Sequence, residues 1–344
     1  MNAGSAGSAG SAGGAGSAGS AGSAGSAGSG AKAGSADGKV LLITGTSSGI
    51  GLATAVAAAR AGYRTVATLR EPGRAGELRR AAEAAGVTVD VRRLDVTDPG
   101  SIAACLDGVA RTYGRLDAVV NNAGVSNSDP TLEMSTDAAL RANLEVNFFG
   151  VAAVSRAALP LLRAAAGRLV AVGSVHGVVG QPFNEAYCAA KFAVEGFLEA
   201  LAPVAAAHGV QVSVVVPGYV PDTRFGVFPD IDRGTVQAAS GPYAPTFAGY
   251  LDWIGGQGWE SAGQPAREVA EVVVRTLLSD RPPFRVPANQ WAADYLAAKL
   301  ADPDGSTVQS LARTWLGQPE ARLQARVEAP PAAPAEAPPA APSS

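Results

Sequence analysis

The sequence predicts an α/β protein built on a doubly wound parallel sheet, in a single domain. Short runs of Val, Ile and Leu that end in Gly or Asn indicate buried strands. Helical stretches rich in alanine alternate with these runs, which implies right-handed crossovers between parallel strands. A tight glycine-rich turn joins the first strand to the first helix, as is typical of this class. An all-helical protein is the alternative, and the short, bounded apolar runs argue against it.

The predicted elements alternate along the chain. Strands are predicted at residues 39–45, 63–70, 87–95, 116–124, 168–174, 210–218 and 284–288. Helices are predicted at residues 49–62, 75–85, 99–113, 136–163, 185–208 and 265–279. Residues 219–260 break the alternation and are rich in Gly, Pro and aromatic residues. Such an irregular insertion in a compact fold usually covers or binds a ligand, so we expect a substrate loop there.

Both ends of the chain have compositions that predict disorder. Residues 1–37 are an almost pure Ser-Ala-Gly repeat, and residues 318–344 are rich in Ala and Pro. Neither segment has enough large apolar groups to offset the entropy that ordering would cost. Residues 38–317 remain, which is enough for one domain with a substantial core. The leader also lacks the basic start and the apolar run of a secretory signal.

Charge, cysteine content and hydropathy argue against several classes of function. A net charge of −3 gives no electrostatic reason to expect nucleic acid or an anionic membrane as a partner. No stretch reaches the ~18 uninterrupted apolar residues that we expect of a membrane span. The two cysteines, Cys105 and Cys188, have no metal-binding spacing, so we expect no metal. A reduced, cytoplasmic protein is the simplest expectation.

The segment TGTSSGIG at residues 44–51 connects the first predicted strand to the first helix. Its glycines, Gly45, Gly49 and Gly51, follow the spacing GxxxGxG. Glycine lets the backbone approach a pyrophosphate, while the helix end offers free N–H groups and the positive end of its dipole. The segment therefore predicts a dinucleotide site. A glycine turn that binds nothing is the alternative.

Tyr187 and Lys191 lie four residues apart in the predicted helix NEAYCAAKFAVEGF. Positions i and i+4 share a helix face, so the phenol and the ammonium point the same way. Four of the 27 basic residues are lysines and the rest are arginines, so a lysine in mid-helix invites a chemical explanation. The alternative is a partly buried tyrosine with a snorkelling lysine beside it.

The motifs occur in an order that resembles the short-chain dehydrogenases/reductases. They are TGxxxGxG, NNAG at 121–124, Ser174 thirteen residues before Tyr187, YxxxK at 187–191 and PGYVPDT at 217–223. The resemblance covers about residues 39–290. It is closer still to the branch of 17-beta-hydroxysteroid (estradiol-type) and retinol dehydrogenases, on segments such as VLLITGTSSGIG, VATLREP and ADPDGS. The resemblance implies a Rossmann-type sheet.

In that family a Ser, a Tyr and a Lys serve hydride transfer between a nicotinamide cofactor and a carbonyl or secondary alcohol. The resemblance assigns these roles to Ser174, Tyr187 and Lys191. Tyr187 would donate the proton, and Ser174 would orient the substrate oxygen. Because a free tyrosine has a pKa of about 10, we expect the Lys191 ammonium, with a cationic oxidised nicotinamide, to lower the Tyr187 pKa. Lys191 would also hold a ribose hydroxyl.

Three other residues near these motifs have candidate roles. Asn147, in LEVNFFG, matches the family's helix asparagine, which holds a water that relays protons to the lysine. The alternative is an amide hydrogen-bonded to backbone at a helix irregularity. His176 follows Ser174 by two residues and either contacts substrate or is a bystander. Cys188 is expected to be a small buried thiol.

The resemblance also implies a set of cofactor-binding residues. They are Gly45, Ser47, Ser48, Gly49, Ile50, Gly51, Arg70, Asp95, Val96, Asn122, Ala123, Gly124, Tyr187, Lys191, Val220 and Thr223. Asp95 would hydrogen-bond the adenine, with capping of the next helix as the alternative, although Thr97 or Asp98 suits capping better. Val220 and Thr223 would meet the nicotinamide carboxamide.

The end of the second predicted strand, VATLREP, favours NADP(H) over NAD(H). An NAD enzyme of this family usually has an acidic residue there, which hydrogen-bonds the ribose hydroxyls. Leu69 occupies that place and Arg70 follows it, so a 2′-phosphate would meet a guanidinium rather than a carboxylate. Ser47 and Ser48 can add hydroxyl donors. The alternative is that Arg70 only solvates the strand end.

Together these features predict an NADP-dependent oxidoreductase for a bulky apolar ketone or secondary alcohol, steroid-, retinoid- or polyketide-like. The aromatic segment at 219–260, with few charges, indicates an apolar pocket. A dinucleotide-binding regulator without catalysis, or an epimerase or dehydratase on the same fold, are the alternatives. We expect a homodimer or homotetramer, because the helices at 136–163 and 185–208 have more apolar surface than one sheet face covers.

Overall fold

The computed structural model describes residues 36, 38–126, 131–223, 233–256 and 263–301. The predicted tail at 318–344 lies outside these residues, as does the predicted leader apart from Ala36. Ala36 is buried, and its carbonyl accepts a hydrogen bond from Lys39 N at 2.9 Å. Ala36, four residues before the first strand, is therefore packed in the core.

Among the described residues, seven strands form one parallel sheet. They are β1 (Val40–Thr44), β2 (Arg64–Leu69), β3 (Asp90–Arg93), β4 (Ala118–Asn121), β5 (Arg168–Val172), β6 (Gln211–Val216) and β7 (Arg285–Pro287). Their order is β3-β2-β1-β4-β5-β6-β7. The chain moves outward from β1 in one direction and then returns to β4 to continue in the other. The predicted doubly wound sheet is confirmed, and the carboxyl ends of β1 and β4 flank the switch point where such folds bind ligands.

Ten α-helices lie in the same described ranges. They are α1 (Gly49–Arg60), α2 (Gly76–Ala84), α3 (Pro99–Tyr113), α4 (Asp137–Leu144), α5 (Gly150–Ala164), α6 (Glu185–Ala206), α7 (Arg233–Ala239), α8 (Ala244–Gly256), α9 (Ala266–Leu278) and α10 (Gln290–Leu300). A π-helical turn at Glu145–Phe149 joins α4 to α5. The predicted long helix at 136–163 is therefore one stretch with an irregular turn in its middle.

The helices cover both faces of the sheet, and the strand side chains alternate between two apolar cores. Leu42 of β1 packs in a core with Val154 of α5 and Leu198 of α6. Ile43, the next residue of the same strand, packs in the other core with Val273 of α9. Because both faces are buried, the strands appear in the sequence as continuous apolar runs rather than as alternating ones.

The prediction of an irregular loop at 219–260 is wrong in part, because α7 and α8 lie within it. Gly241 and Pro242 lie in the 3-10 turn Gly241–Tyr243 between these helices, while Pro245 and Gly249 lie within α8. Phe247 and Tyr250 of α8 are 2% and 1% exposed and form a small third core, so they do not face an open pocket. The aromatic residues Phe225, Phe228 and Trp259 of this segment lie outside the described residues.

Helix α10 was not predicted, although its start has a recognisable signal. The Asn289 side chain accepts a hydrogen bond from Ala292 N at 2.8 Å, which is an N-cap. The third strand is also shorter than the predicted 87–95. Val87 N bonds to Ala82 O at 3.0 Å and so closes α2 instead of starting β3. A side-chain cap sets the start of α10, and a backbone hydrogen bond at the end of α2 delays the start of β3.

One helical stretch among the described residues, Asp137–Ala164, is long and apolar enough to cross a membrane by length and composition alone. Helices packed on a sheet pass the same test, and this one contacts α3, α6 and β4. It is weak evidence for a membrane span. This packing is compatible with the expectation that the chain has no membrane span.

Candidate active site

The glycine turn after β1 has a conformation that requires glycine at two positions. Gly45 has a φ of 72°, in the left-handed region. A Cβ on Gly51 would lie 2.2 Å from Gly45 O and 2.4 Å from Asn122 Nδ2, closer than atoms can approach. The turn is therefore folded tightly onto itself and against the residues that follow β4. The sequence spacing and the observed geometry agree.

Asn122 and Thr44 hold the ends of β1 and β4 together. Asn122 Nδ2 donates to the carbonyls of Thr44 and Gly45, both at 2.9 Å. Thr44 Oγ1 accepts from the backbone N–H groups of Asn122 and Ala123, both at 3.0 Å. The Asn122 side chain thus stabilises the glycine turn, while Ala123 and the half-buried Gly124 lie beside it. These contacts define one wall of the crevice at the switch point.

The first turn of α1 points its N–H groups into this crevice. Ser48 is the N-cap residue, and its side chain makes no capping hydrogen bond. The N-terminal amides of a helix lack intrahelical partners, so they can receive a phosphate. Ser47 is exposed, whereas Ser48 and Ile50 are half-buried. This arrangement fits the pyrophosphate of a dinucleotide.

Tyr187 and Lys191 lie on the buried face of α6, against the carboxyl end of β5. Tyr187 is 7% exposed and Lys191 is 6% exposed. Lys191 Nζ donates to Val172 O at 3.0 Å and lies 5.7 Å from the centroid of the Tyr187 ring. Burial lowers the pKa of Lys191 to about 8. The alternative of a lysine snorkelling to solvent does not match this burial.

Ser174 lies at the turn after β5 and is hydrogen-bonded to Tyr187. Its Oγ also accepts from His176 N at 3.1 Å, which fixes the hydroxyl beside the phenol. Strand β5 brings Ser174 to the carboxyl edge of the sheet, and α6 passes over the same edge. The hydroxyls of Ser174 and Tyr187 therefore share one site. The structure therefore brings together Ser174, Tyr187 and Lys191, as predicted.

The protein groups alone shift the pKa of Tyr187 upward, whereas the expected lowering includes the charge of an oxidised nicotinamide and stays a prediction. Burial raises the pKa of Tyr187 above its ordinary value, and the hydrogen bond from Ser174 lowers it only in part. Lys191, with a pKa of about 8, is neutral at the higher pH where the phenol would titrate, so its charge does not offset the effect of burial there. The spacing of Tyr187 and Lys191 correctly placed both residues on one helix face. The direction of the Tyr187 pKa shift in the protein groups is decided by burial, which the spacing does not reveal.

Asn147 lies in the π-helical turn between α4 and α5 and is fully buried. Its Oδ1 accepts from Val125 N at 3.0 Å, and its Nδ2 donates to Val125 O at 2.8 Å and to Asn143 Oδ1 at 3.0 Å. The amide is thus bonded to backbone at a helix irregularity, as in the alternative interpretation. Its role in a proton relay stays a prediction.

The residues predicted to hold the adenine end lie at the carboxyl ends of β2 and β3. Asp95 Oδ1 accepts from Thr97 N at 3.0 Å and Thr97 Oγ1 at 2.8 Å, while Asp98 caps α3. The Thr97 hydrogen bonds and the charge of Arg70 outweigh partial burial and lower the Asp95 pKa. Val96 is buried beside them. The guanidinium of Arg70 is therefore near enough to Asp95 to act on it.

Val220 and Thr223 lie in the segment after β6, and both are buried. Thr223 Oγ1 donates to Val220 O at 2.9 Å. A Cβ on Gly49 would lie 3.1 Å from Thr223 Cγ2, so this segment packs directly on the glycine turn. The structure thus brings Thr223 against the glycine turn, which in turn contacts Asn122 and Ala123; the cofactor-binding roles of these residues stay predictions.

His176 and Cys188 flank the site without an evident chemical task. Burial lowers the pKa of His176 to about 4, so its imidazole is neutral near pH 7, and Nδ1 lies 3.4 Å from Val179 O. Cys188 is buried, as expected, and its Sγ accepts from Gln181 N at 3.3 Å. Burial raises the pKa of this thiol to about 11. Both residues have structural contacts.

Sequence reasoning missed the aromatic residues of α10 that border the site. The ring of Tyr295 lies 6.4 Å from the His176 ring, edge to face, and stacks on Trp291 with centroids 4.9 Å apart. These contacts bring α10 next to the turn after β5. The Asn289 cap could have signalled the helix, but nothing in the sequence signals which residues it would meet.

Comparisons with known proteins agree with this geometry. A model of the short chain dehydrogenase family matches residues 39–227. Retinol dehydrogenase 8 of Bos taurus is 38% identical over 282 residues, covering 78% of this chain and 87% of that protein. Human 17-beta-hydroxysteroid dehydrogenase type 1 is 35% identical over 296 residues, covering 83% of this chain and 88% of that protein.

Solved structures show the same fold. A short-chain dehydrogenase from Streptomyces avermitilis superposes with a TM-score of 0.62 at 28% identity, covering 80% of this chain and 97% of that one. An alcohol dehydrogenase from the archaeon Thermococcus sibiricus, complexed with 5-hydroxy-NADP, has a TM-score of 0.58 at 27% identity, covering 72% and 95% of the two chains.

The chain belongs to the short-chain dehydrogenase/reductase family, in the branch of the retinol and 17-beta-hydroxysteroid dehydrogenases. It is thus an oxidoreductase of a family that binds NAD(P) and acts on alcohols and ketones. The geometry of the crevice also fits such a cofactor, because the glycine turn and the N-terminus of α1, which has no side-chain cap, meet there.

Proposed function

We propose that the protein is an NADP(H)-dependent ketoreductase or alcohol dehydrogenase for bulky apolar substrates, of steroid-, retinoid- or polyketide-like size. The observation that carries the proposal is the buried group of Ser174, Tyr187 and Lys191 beside the glycine turn. A dinucleotide-binding regulator has no need of a buried phenol and ammonium, which cost desolvation free energy. No contact in the described residues favours an epimerase or dehydratase.

The proton chemistry follows from the burial of the site. When bound, the nicotinamide cofactor supplies or takes up the hydride. Tyr187 keeps its phenol proton at neutral pH, as tyrosines ordinarily do, so its Oη can donate a proton to a carbonyl oxygen. Burial raises the pKa of Tyr187 and so makes the phenol a weaker acid, which means that donation depends on a neighbouring positive charge that stabilises the phenolate. Ser174, fixed by His176 N, orients that oxygen. With Tyr187 protonated and Ser174 in place, the site can reduce a ketone.

Lys191 acts on the site through its position and charge. Its ammonium is held on Val172 O, at the carboxyl end of β5, and faces the same crevice as the phenol. A charge at that place favours the tyrosinate that remains after proton donation. The remaining N–H groups of the ammonium are free to hold a ribose hydroxyl, which the planar guanidinium of an arginine would suit less well.

The preference for NADP(H) rests on the carboxyl end of β2. Leu69 is buried there, where a carboxylate would otherwise meet the ribose, and Arg70 is exposed beside it. The guanidinium can clamp a 2′-phosphate with charge-assisted hydrogen bonds. The archaeal neighbour complexed with 5-hydroxy-NADP shows that this fold accepts that class of cofactor.

The substrate class rests on the relatives and on the aromatic residues beside the site. The relatives named above are a retinol and a hydroxysteroid dehydrogenase. Trp291 and Tyr295 of α10 border the site beside His176 and are only partly buried, which suits a flat apolar molecule.

A homodimer or homotetramer in the cytoplasm completes the proposal. Phe149, in the π turn, is 52% exposed, and Phe192 and Val204 of α6 are 40% and 62% exposed. Covering such side chains stabilises pairs of helices across a two-fold axis. Light scattering at several dilutions tests this, and a monomer at every concentration would contradict it.

A panel of ketones offered with NADPH and with NADH tests the proposed function directly. We expect loss of the reduced nicotinamide absorbance with ring-fused or long-chain ketones and NADPH. Turnover that is confined to small carboxylated ketones would overturn the substrate class. No turnover with any ketone, despite NADPH binding, would favour the regulator instead.

A further inference from the structure

Phe183 has a backbone conformation that bulky residues rarely adopt. Its φ is 59°, in the left-handed region, and Ala166 is the other non-glycine residue in that region within the described ranges. Such strain persists where the surrounding structure determines it strongly, and it clusters at functional sites. Phe183 lies four residues before Tyr187, in the turn that enters α6.

Hydrogen bonds tie this turn to the first turn of α6. Asn184 O accepts from Cys188 N at 2.9 Å, and Gln181 N donates to Cys188 Sγ at 3.3 Å. Asn184 Nδ2 also donates to Gln181 Oε1 at 2.8 Å. These bonds bracket Phe183, and two of them end on the residue that follows Tyr187. The conformation of Phe183 and the start of the Tyr187 helix are therefore coupled.

The Phe183 ring joins the same turn to α8. Its centroid lies 5.0 Å from the Phe247 ring at an interplanar angle of 75°, and 5.3 Å from the Tyr250 ring at 47°. Edge-to-face and tilted ring pairs attract each other beyond the area that they bury. Both partners are buried in the small third core. Ring packing is thus the force that holds Phe183 in its strained conformation.

We propose that Phe183 is a positioning residue that sets the place of α8 relative to Tyr187 and thereby determines how well a bulky substrate is accepted. The substrate part rests on the proposed function. Tyr250 of α8 lies near enough to Cys188, the residue after Tyr187, to act on its charge, so the place of α8 bears on the space around Tyr187. A small ketone depends mainly on the Ser174 and Tyr187 hydroxyls, whereas a bulky one also depends on that space. Loss of the Phe183 ring therefore penalises large substrates and spares small ones.

Substrate preference tests this role. In Phe183→Ala we expect the ratio of kcat/KM for a ring-fused ketone over a small aliphatic ketone to fall about tenfold, the loss of one well-packed ring contact. The kcat for the small ketone stays near the wild-type value, and Phe183→Tyr, which keeps the ring, restores the ratio. Phe284→Ala is the matched control, because Phe284 is also partly buried but lies at the amino end of β7.

Two measurements test the positioning without turnover. Phe183→Gly and Phe183→Ala both remove the ring, but glycine also relieves the left-handed φ. We expect Phe183→Gly to melt higher than Phe183→Ala by about 2–4 °C, the reverse of the usual order. In both variants the backbone amides of α8 should exchange with deuterium faster than in wild type, and in Phe284→Ala they should not.

The outcomes separate the two proposals. Equal losses for both ketones in Phe183→Ala, or unchanged exchange in α8, would overturn the role of Phe183. A wild-type protein that reduces no bulky ketone would overturn the proposed substrate class instead, and the melting and exchange data would still decide whether Phe183 positions α8.

Discussion

The two sides of the site are held by different forces. On the cofactor side, polar bonds close to the backbone hold the glycine turn, as where Asn122 Nδ2 donates to Thr44 O and Gly45 O. On the substrate side, aromatic rings from distant parts of the chain hold the structure, as where Phe183 packs on Phe247 and Tyr250. The first kind of contact depends on backbone geometry and the second on side-chain shape.

From this difference we expect the cofactor side to tolerate few substitutions and the substrate side to tolerate many. A backbone that must approach a phosphate leaves no room for a Cβ, as at Gly51. A cluster of rings can be rebuilt with other apolar side chains of similar volume. The cofactor side therefore keeps one task, while the substrate side can be adapted to different ketones.

Tyr187 stands between the two sides, and its removal should have the largest effect. Tyr187→Phe takes away the proton donor and keeps the ring, so we expect kcat to fall about 10²–10⁴-fold. The Kd for NADPH should change little, because the glycine turn and α1 remain. Steady-state kinetics and a fluorescence titration measure the two quantities. A variant that kept more than about a tenth of wild-type kcat would show that the acid is another group.

The cofactor side can be altered without touching the rings. Leu69→Asp with Arg70→Ala places a carboxylate where we propose a phosphate clamp. A charge-assisted contact contributes about 1.5–3 kcal/mol, so NADPH preference should reverse by about ten- to hundredfold in kcat/KM. The preference among ketones should stay as in wild type. Equal kcat/KM for NADH and NADPH in the unmodified protein would contradict the clamp.

The sequence predicted the cofactor side well for a physical reason. Gly45, Gly49 and Gly51 report backbone conformations that few other residues can adopt, so their spacing alone indicates the turn. The strands are buried on both faces and are visible as apolar runs. Tyr187 and Lys191 are visible because helix periodicity places them on one face.

The substrate side could not be predicted in the same way. α8 contains glycine and proline, and its stability comes from Phe247 and Tyr250 packing on Phe183, which lies more than 60 residues earlier in the chain. The rise that burial causes in the pKa of Tyr187 could not be predicted for a related reason, because burial depends on the whole fold. Local sequence patterns carry no information about such distant contacts.

The burial of Lys191 predicts a pH-dependent term in stability. Its pKa in the folded protein is about 8, below the ordinary 10.5. Between these values the unfolded chain binds more protons, so this group makes the free energy of unfolding rise with pH, by up to about 1.4 kcal/mol per unit. Cys105 and Cys188, whose pKa values burial raises to about 11, act in the opposite direction there.

Because the cysteines oppose it, the contribution of Lys191 to the pH dependence of stability is measured by comparing a Lys191 variant with wild type. The free energy of unfolding is measured in urea at pH 8.0 and about 9.5. Between these two pH values it should rise less, or fall more, in Lys191→Met than in wild type. Lys299→Met, near the end of α10 and only partly buried, is the control and should follow wild type. Identical pH dependence in wild type and Lys191→Met would mean that Lys191 is not buried as an amine with a lowered pKa.

The smallest effect is expected at the exposed rim of the substrate side. Tyr243, in the turn before α8, donates from its hydroxyl to Glu133 Oε2 at 2.5 Å, and Thr131 Oγ1 donates to Glu185 Oε1 at 2.8 Å. These two bonds connect α8 to the start of α6 by a second route. Because the groups are exposed, water competes for both bonds, and each contributes little.

Tyr243→Phe should therefore raise KM for a ring-fused ketone no more than about twofold and leave kcat unchanged. Thr131→Val should have a similarly small effect. If rings rather than surface bonds position α8, both effects must be smaller than that of Phe183→Ala under the same conditions. A loss in Tyr243→Phe as large as in Phe183→Ala would show that the polar rim, and not the aromatic cluster, holds the substrate side in place.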